Sequence, residues 1–533
     1  MLKELLKPYS KELKKYFFLS ACYVTMDVIA LVIINTVFSK VLPNSPTQRY
    51  FILFIGVVLL LLTFYMRSQK NCVRLIETIV SDTREKIIEK VRNADLESFE
   101  KLGKSNIYNS LTLDTQIISE IIYMFMGATE MFFFITGLLI YSILVHPLTF
   151  LFIFSVLGFG SLIYAYRFIK IREWLMQARQ KEAELFGSVS DLLYGFKELR
   201  VNDFKNDDFF HRNLKMKSAE NRRYRIKAEQ AFAASNVVST VTENIVYIPI
   251  LFILPVVGEL SIHALFVSIT VLLFLPFAFL KETIPYLFRA GVSVERVNQL
   301  EEELKKARVE EADTVPVKKI SGFREIRYHR ISFTYTDKYG TPLFSIKDIS
   351  FSVRAGETLF IVGGNGSGKS TLLKVLTGLY SPLSGSIEVD GSEIEIAGHR
   401  YLFSVIFADF HLFDRLYGLT DINKEKMDKW LKIMQLSDKL ELKGNQFSTL
   451  DLSTGQRKRL AMIATIMEDK PVYIFDEWAA DQVPHFREFF YKELLPQFKA
   501  QGKTVIAVSH DDRYFHVADR VLKLEYGRLA DNG

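Results

Sequence analysis

Six apolar runs, near 16–38, 50–66, 118–144, 148–168, 231–257 and 262–281, fill about half of the first 281 positions of this chain. A bilayer core takes about 20 helical residues to cross. In lipid every backbone N–H must find its acceptor within the protein, so single runs of this kind fold as spanning helices. The stretch 50–66 is short for a span but carries no charge. The overall 49% hydrophobic content hides this asymmetry, because residues 321–533 alternate short apolar runs with glycine and polar turns. At 533 residues the chain has room for two domains, each with its own core.

Lys and Arg set the orientation. After the second run come Arg67, Lys70, Arg74, Arg84, Lys86, Lys90, Arg92, Lys101 and Lys104, and after the fourth Arg167, Lys170, Arg172, Arg222, Arg223, Arg225 and Lys227. The opposite connections, 39–49, 145–147 and 258–261, offer only Lys40 and Arg49. Both termini are therefore expected in the cytoplasm. The net charge of +6 reads as this orientation signal and not as nucleic-acid binding. Lys3, Lys7, Lys11, Lys14 and Lys15 among leucines read as an interfacial amphipathic lead into the first span, since the apolar stretch that follows is too long for a signal peptide. The two inside connections are long and helically patterned, as if membrane helices continued into the cytoplasm before turning back.

Asp27, Glu130 and Glu243 fall near mid-span. Such groups are costly in a membrane. They read either as protonated or bonded to Ser, Thr or Tyr across the bundle, or as an acidic lining for cationic or donor-rich cargo. Pro249, Pro255 and Pro276 predict kinks. Cys22 lies in an apolar run and Cys72 in a basic segment, so neither a disulfide nor a metal cluster is expected.

The second half carries the chemistry. Residues 291–320 read as a charged helical linker. The apolar strand 358–362 then runs into Gly363-Gly364-Asn365-Gly366-Ser367-Gly368-Lys369-Ser370-Thr371, with a helix expected over 370–379. Strand, glycine-rich loop and helix together form the phosphate-cradling motif, in which backbone N–H groups and a helix N-terminus face the phosphates. Lys369 is expected to reach the β- and γ-phosphates of ATP and Ser370 to ligate Mg²⁺. The apolar strand 472–475 ends in Asp476 and Glu477. Asp476 is expected to hold Mg²⁺, and Glu477 to orient or deprotonate the water that attacks the γ-phosphate. A third strand, 504–508, delivers His510, placed to sense that phosphate.

Leu452-Ser453-Thr454-Gly455-Gln456 precedes a basic helix expected to start near Arg457. A hydroxyl, a glycine and a helix N-terminus make a second anion-binding surface. One nucleotide cannot use both surfaces of one chain if they lie on opposite edges of the site. Two chains facing head to tail, each closing the other's nucleotide, resolve this.

These strings resemble the ATP-binding cassette (ABC) family, and the likeness covers essentially the whole chain. The resemblance implies that Tyr335 stacks on adenine and that Asp481 communicates across the dimer. It also implies an exporter half-transporter arrangement, with residues 195–200 near a coupling helix. Asp476-Glu477-Trp478-Ala479-Ala480-Asp481-Gln482, Leu452–Leu460 and Phe410-His411-Leu412-Phe413-Asp414 are similar to the branch that exports cyclic or modified peptides, the pyoverdine-, syringomycin- and microcin-type exporters. Three departures stand out. Ala408, followed by Asp409, occupies the place of the usual Mg²⁺-contacting glutamine; the stretch from Ala408 to the signature is short; and Val483 replaces an acid.

The expected architecture is multidomain. An all-α six-helix transmembrane domain (1–290) and a linker (291–320) precede an α/β P-loop ATP-binding cassette (321–533). The expected activity is ATP-driven export of peptide-like cargo by a homodimer in the cytoplasmic (inner) membrane, amid lipid and without a nucleic-acid partner. The alternatives are a lipid flippase, a general multidrug exporter, or an ABC protein that gates a channel or signals.

Overall fold

The computed structural model describes residues 6–38, 48–248, 297–305, 322–336, 341–419 and 421–530, with Ile320 and single positions between 252 and 269. The chain divides into two compact units, residues 1–87 with 108–299, and residues 88–107 with 300–533. The segment 88–107 thus clusters with the C-terminal half, although the hydropathy pattern groups it with the membrane half.

In the first unit, α1 (Ser10–Thr36) runs unbroken. α2 (Gln48–Arg92) is 45 residues long, about 68 Å at 1.5 Å per residue. That is about twice a bilayer core, so the helix continues well past the expected span 50–66. After α3 (Leu96–Leu102) come α4 (Thr115–Val145), the 48-residue α5 (Pro147–Tyr194) and α6 (Lys215–Ile248). Three described helical stretches, Lys7–Thr36, Gln48–Arg92 and Lys104–Val145, are long and apolar enough to cross a membrane, and they carry the first three expected spans. The fourth expected span falls in α5 and most of the fifth in α6. Nearly all of the sixth, the connections 39–47 and 258–261, and Pro249, Pro255 and Pro276 lie outside the described residues.

α1, α2 and α4 are joined by a polar clasp. The Tyr16 and Tyr23 hydroxyls donate to the two carboxylate oxygens of Glu130 at 2.6 and 2.7 Å, and Ser20 approaches the same carboxylate at 3.4 Å. Ser20 also bonds Ser68 at 2.9 Å. Glu130 is thus bonded to Tyr and Ser across the bundle, as one of its readings expected. Asp27 is half-buried.

The C-terminal half is built on two main sheets. β1 (Glu325–Thr336), β2 (Pro342–Arg354), β4 (Ser384–Val389) and β5 (Ser392–Glu393) form an antiparallel sheet in the order β2-β1-β4-β5. β3 (Thr358–Gly363), β6 (Phe403–Ile406), β9 (Val472–Asp476), β10 (Thr504–Val508), β11 (Arg520–Glu525) and β12 (Arg528–Leu529) form the other, ordered β12-β11-β3-β10-β9-β6 and parallel except at β12. A small ribbon, β7 (Leu442–Lys443) and β8 (Gln446–Phe447), completes the set.

Parallel strands covered on both faces read as continuous apolar runs, and the side chains alternate between two cores. Phe360, Tyr473, Phe475, Val505 and Ala507 pack toward α8 (Lys424–Ile433) and α9 (Thr454–Glu468). Leu359, Ile361, Val472, Ile474 and Ile506 pack toward α7 (Lys369–Leu376) and the antiparallel sheet. α7 ends three residues before the expected limit of 379, where Gly378 turns the chain at φ 69°. α9 starts at Thr454, three residues before Arg457, because Ser453 and Gln456 cap it reciprocally.

Candidate functional site

Strand pairing assembles the site. β9 and β10 run parallel with Asp476 abreast of Val508, so the residues just beyond each strand, Glu477 and His510, emerge side by side at the carboxyl edge of the sheet. This is where open α/β sheets bind ligands. The Glu477 carboxylate lies 2.8 Å from His510 Nε2. β6 pairs β9 from the other side, Ile406 against Phe475, which sets the exposed turn of Ala408 and Asp409 beside the same edge.

β3 feeds the glycine-rich loop. Gly368 adopts φ 104° at the N-cap of α7, a conformation L side chains avoid, and its carbonyl accepts the Leu372 N–H at 2.8 Å. The Lys369 ammonium folds onto the carbonyls of Gly363 and Gly364 at 3.0 and 2.9 Å. Burial draws that ammonium below its ordinary range, while the Glu477 and Asp476 carboxylates act in the opposite sense. Thr371 is buried in α7, and Asn365 lies exposed at the loop tip.

Ser370 Oγ donates to Asp476 Oδ2 at 3.1 Å. Burial pushes the Asp476 carboxyl above its ordinary range; the Ser370 bond, the Ala408 backbone and Lys369 oppose the rise. Asp476 Oδ1 and Ser367 Oγ are buried and have no hydrogen-bond partner among the described residues. Buried polar atoms are nearly always paired. An orphaned carboxylate oxygen beside a hydroxyl is a donor set that fits a hard cation, and an orphaned hydroxyl in a glycine-rich loop fits a phosphate oxygen.

Tyr335, on β1, donates its hydroxyl to Tyr380 at 3.0 Å. Tyr380 stacks on Phe333 with centroids 4.6 Å apart, and its hydroxyl also meets Lys374 at 3.1 Å and the Glu100 carboxylate. Glu100 lies within α3 and pairs with Lys374 at 2.9 Å. Tyr380, Lys374 and Glu100 escaped the sequence reading, because an ordinary Tyr, Lys and Glu carry no motif.

The signature Leu452–Gln456 makes no hydrogen bond to the glycine-rich loop among the described residues. It adjoins the Asp481 turn instead, where the Gln482 amide donates to the Gly455 carbonyl at 3.1 Å. Residues 196–200 form a short helix capped by Gly195, and Val483 is exposed before the helix Pro484–Phe489.

Residues 346–480 match the ABC transporter family, and residues 15–279 match the ABC transporter transmembrane region. The ATP-binding protein SyrD of Pseudomonas syringae pv. syringae is 29% identical over 95% of this chain and 92% of its own length. The β-(1→2)glucan export ATP-binding/permease protein NdvA of Bartonella bacilliformis is 30% identical over 39% of this chain and 36% of its own. The energy-coupling factor transporter ATP-binding protein EcfA1 of Mycoplasma genitalium is 33% identical over 38% of this chain and 76% of its own. A solved bacterial Atm1-family ABC exporter with ATP bound superposes with a TM-score of 0.74, covering 98% of this chain and 94% of that one at 17% identity, a likeness of fold. With a helical transmembrane region and an ATPase of matching family on one polypeptide, the chain belongs to the ABC transporter family, whose ATP hydrolysis is coupled to transport across a membrane.

Proposed function

We propose that two copies of this chain export a cyclic or modified peptide across the cytoplasmic membrane by alternating access. The observation that carries this reading is the likeness to SyrD, which runs through both halves of the chain. NdvA of Bartonella bacilliformis and EcfA1 of Mycoplasma genitalium match less than half of it. The strings at 410–414, 452–460 and 476–482 support the peptide-exporting branch.

In this reading the cassettes pair head to tail. Gly363–Thr371 of one copy cradles the phosphates of ATP against Leu452–Gln456 of the other, Tyr335 stacks on adenine, and Asp481 lies at the junction. Ser370 and Asp476 would hold Mg²⁺, which when bound would supply positive charge against the transferred phosphoryl group. Glu477 orients the attacking water and accepts its proton. The 2.8 Å contact with His510 keeps that carboxylate at the carboxyl edge of the sheet, and Lys369 steadies the γ-phosphate. The position of Ala408 leaves its backbone, without a side-chain amide, to face Asp476. Closure of the pair drives outward opening, and hydrolysis to ADP and phosphate resets it. Both nucleotide sites are active, because one sequence supplies every motif. The basic inside connections support a cytoplasmic location for both termini and the ATPase.

The test is ATP-dependent uptake of a labelled cyclic lipopeptide into inside-out vesicles, with Glu477→Gln as control. Glu477→Gln is expected to abolish turnover and uptake while nucleotide binding persists, and mass measurement in detergent to give two copies. Flipping of labelled lipid without peptide uptake would replace the cargo assignment, and unchanged turnover in Glu477→Gln would remove Glu477 from its role.

A further inference from the structure

α9, which carries the signature at its start, has three successive basic residues, Arg457, Lys458 and Arg459. Lys458 is almost completely buried, with 2% of its surface exposed. A buried ammonium is tolerated only where its charge and its hydrogens are answered. Here Asp481 Oδ2 lies 2.7 Å away and the Glu477 backbone carbonyl 2.9 Å away. The tie is returned by the next residue, because Trp478, itself buried, donates its indole N–H to the Lys458 carbonyl at 2.8 Å.

Glu477 sits in the left-handed region, φ 49° and ψ 35°. A non-glycine residue holds that conformation only where surrounding structure enforces it. The Ala480 N–H and the Lys458 ammonium both bond the Glu477 carbonyl, the first at 3.2 Å. Rotation of this peptide would swing the Glu477 side chain away from His510. Gly455 leaves no slack at the other end of the junction, since a Cβ there would stand 3.2 Å from the Asp481 carbonyl.

We propose that Lys458 is a positioning residue for hydrolysis. Its ammonium holds the Glu477 carbonyl and the Asp481 carboxylate together, so that the signature helix and the catalytic turn of one chain move as a unit. Whatever shifts the start of α9 then shifts the carboxylate of Glu477. In the paired arrangement, the signature serves one nucleotide while Glu477 serves the other, so Lys458 joins the two sites through a single side chain. This rests on the reading of Glu477 as the residue that orients water.

The experiment uses the full chain, purified and reconstituted, with ATP turnover, binding of a fluorescent ATP analogue and thermal unfolding measured side by side. Lys458→Met keeps length and apolar bulk but removes the ammonium. Its kcat is expected to fall about 10–100-fold, the scale of a misplaced catalytic group, while KM for ATP and analogue affinity stay within about twofold. Lys458→Arg, which restores the charge, is expected to recover most of the loss. A folded Lys458→Met protein with kcat within about twofold of the parent overturns the proposal. So does a loss that Lys458→Arg leaves unrepaired while lowering the unfolding temperature equally, since that is the signature of packing. If Lys458→Met does not fold, Lys458→Gln is measured against the same thresholds. Failure of both to fold also overturns the proposal, because Lys458 would then serve folding. Full turnover in Glu477→Gln would remove the underlying reading, whereas a dead Glu477→Gln beside a fully active Lys458→Met removes this inference alone.

Discussion

Gly368→Ala separates what the glycine-rich loop needs in order to fold from what it needs in order to bind. A Cβ at Gly368 would lie 2.8 Å from Ile346 Cγ2, 3.1 Å from Phe344 Cζ and 3.4 Å from Leu524 Cδ2. Ile346 is fully buried and fixed by its pairing with Phe333 across β1 and β2, so its methyl has nowhere to go. The backbone at φ 104° adds strain of about 1–3 kcal/mol for any L side chain, and overpacking adds about 1–3 kcal/mol. A total of about 2–6 kcal/mol corresponds to a fall in unfolding temperature of roughly 5–20 °C for a unit of this size. Gly364 is the control: its φ is ordinary and nothing lies within 4 Å of its would-be Cβ. Gly364→Ala should unfold with the parent, so any loss of ATP affinity in it reports crowding of the nucleotide itself. The assay is thermal unfolding of the nucleotide-free protein followed by tryptophan fluorescence, to which the buried Trp430 and Trp478 contribute from the ATPase half. A Gly368→Ala midpoint within about 2 °C of the parent would refute the reasoning and leave close approach of phosphate as the reason for that glycine.

Two further expectations follow from the same geometry. Tyr380→Phe removes one hydroxyl that Tyr335, Lys374 and Glu100 share; ATP KM should rise about 3–10-fold with kcat unchanged, the scale of one or two lost hydrogen bonds, and an unchanged KM would show that Tyr335 needs no tether. Glu130→Ala leaves the Tyr16 and Tyr23 hydroxyls without their acceptor; unfolding in detergent should move down by the equivalent of about 2–5 kcal/mol, whereas unchanged stability with altered cargo selectivity would place Glu130 in the transport path.

The order of the parts and the identity of the chemical groups were legible in the sequence. Hydropathy alone placed the apolar runs, because crossing a bilayer is a one-dimensional requirement of length and polarity. The residues at 363–371 and 476–477 were legible for a similar reason, since a strand, a turn and the groups at its end are all local. What strand order brings together emerged only from the folded chain. Glu477 and His510 are 33 residues apart, and parallel pairing of β9 with β10 makes them neighbours. Residues 88–107 read as part of the membrane half, yet they cluster with the ATPase through the pairs Lys90–Glu301 and Glu100–Lys374. Lys458 and Arg457 are adjacent basic residues of one helix, Lys458 buried and Arg457 exposed. Burial separates them, and burial is set by how α9 lies on the sheet, a property of three dimensions that no local pattern encodes.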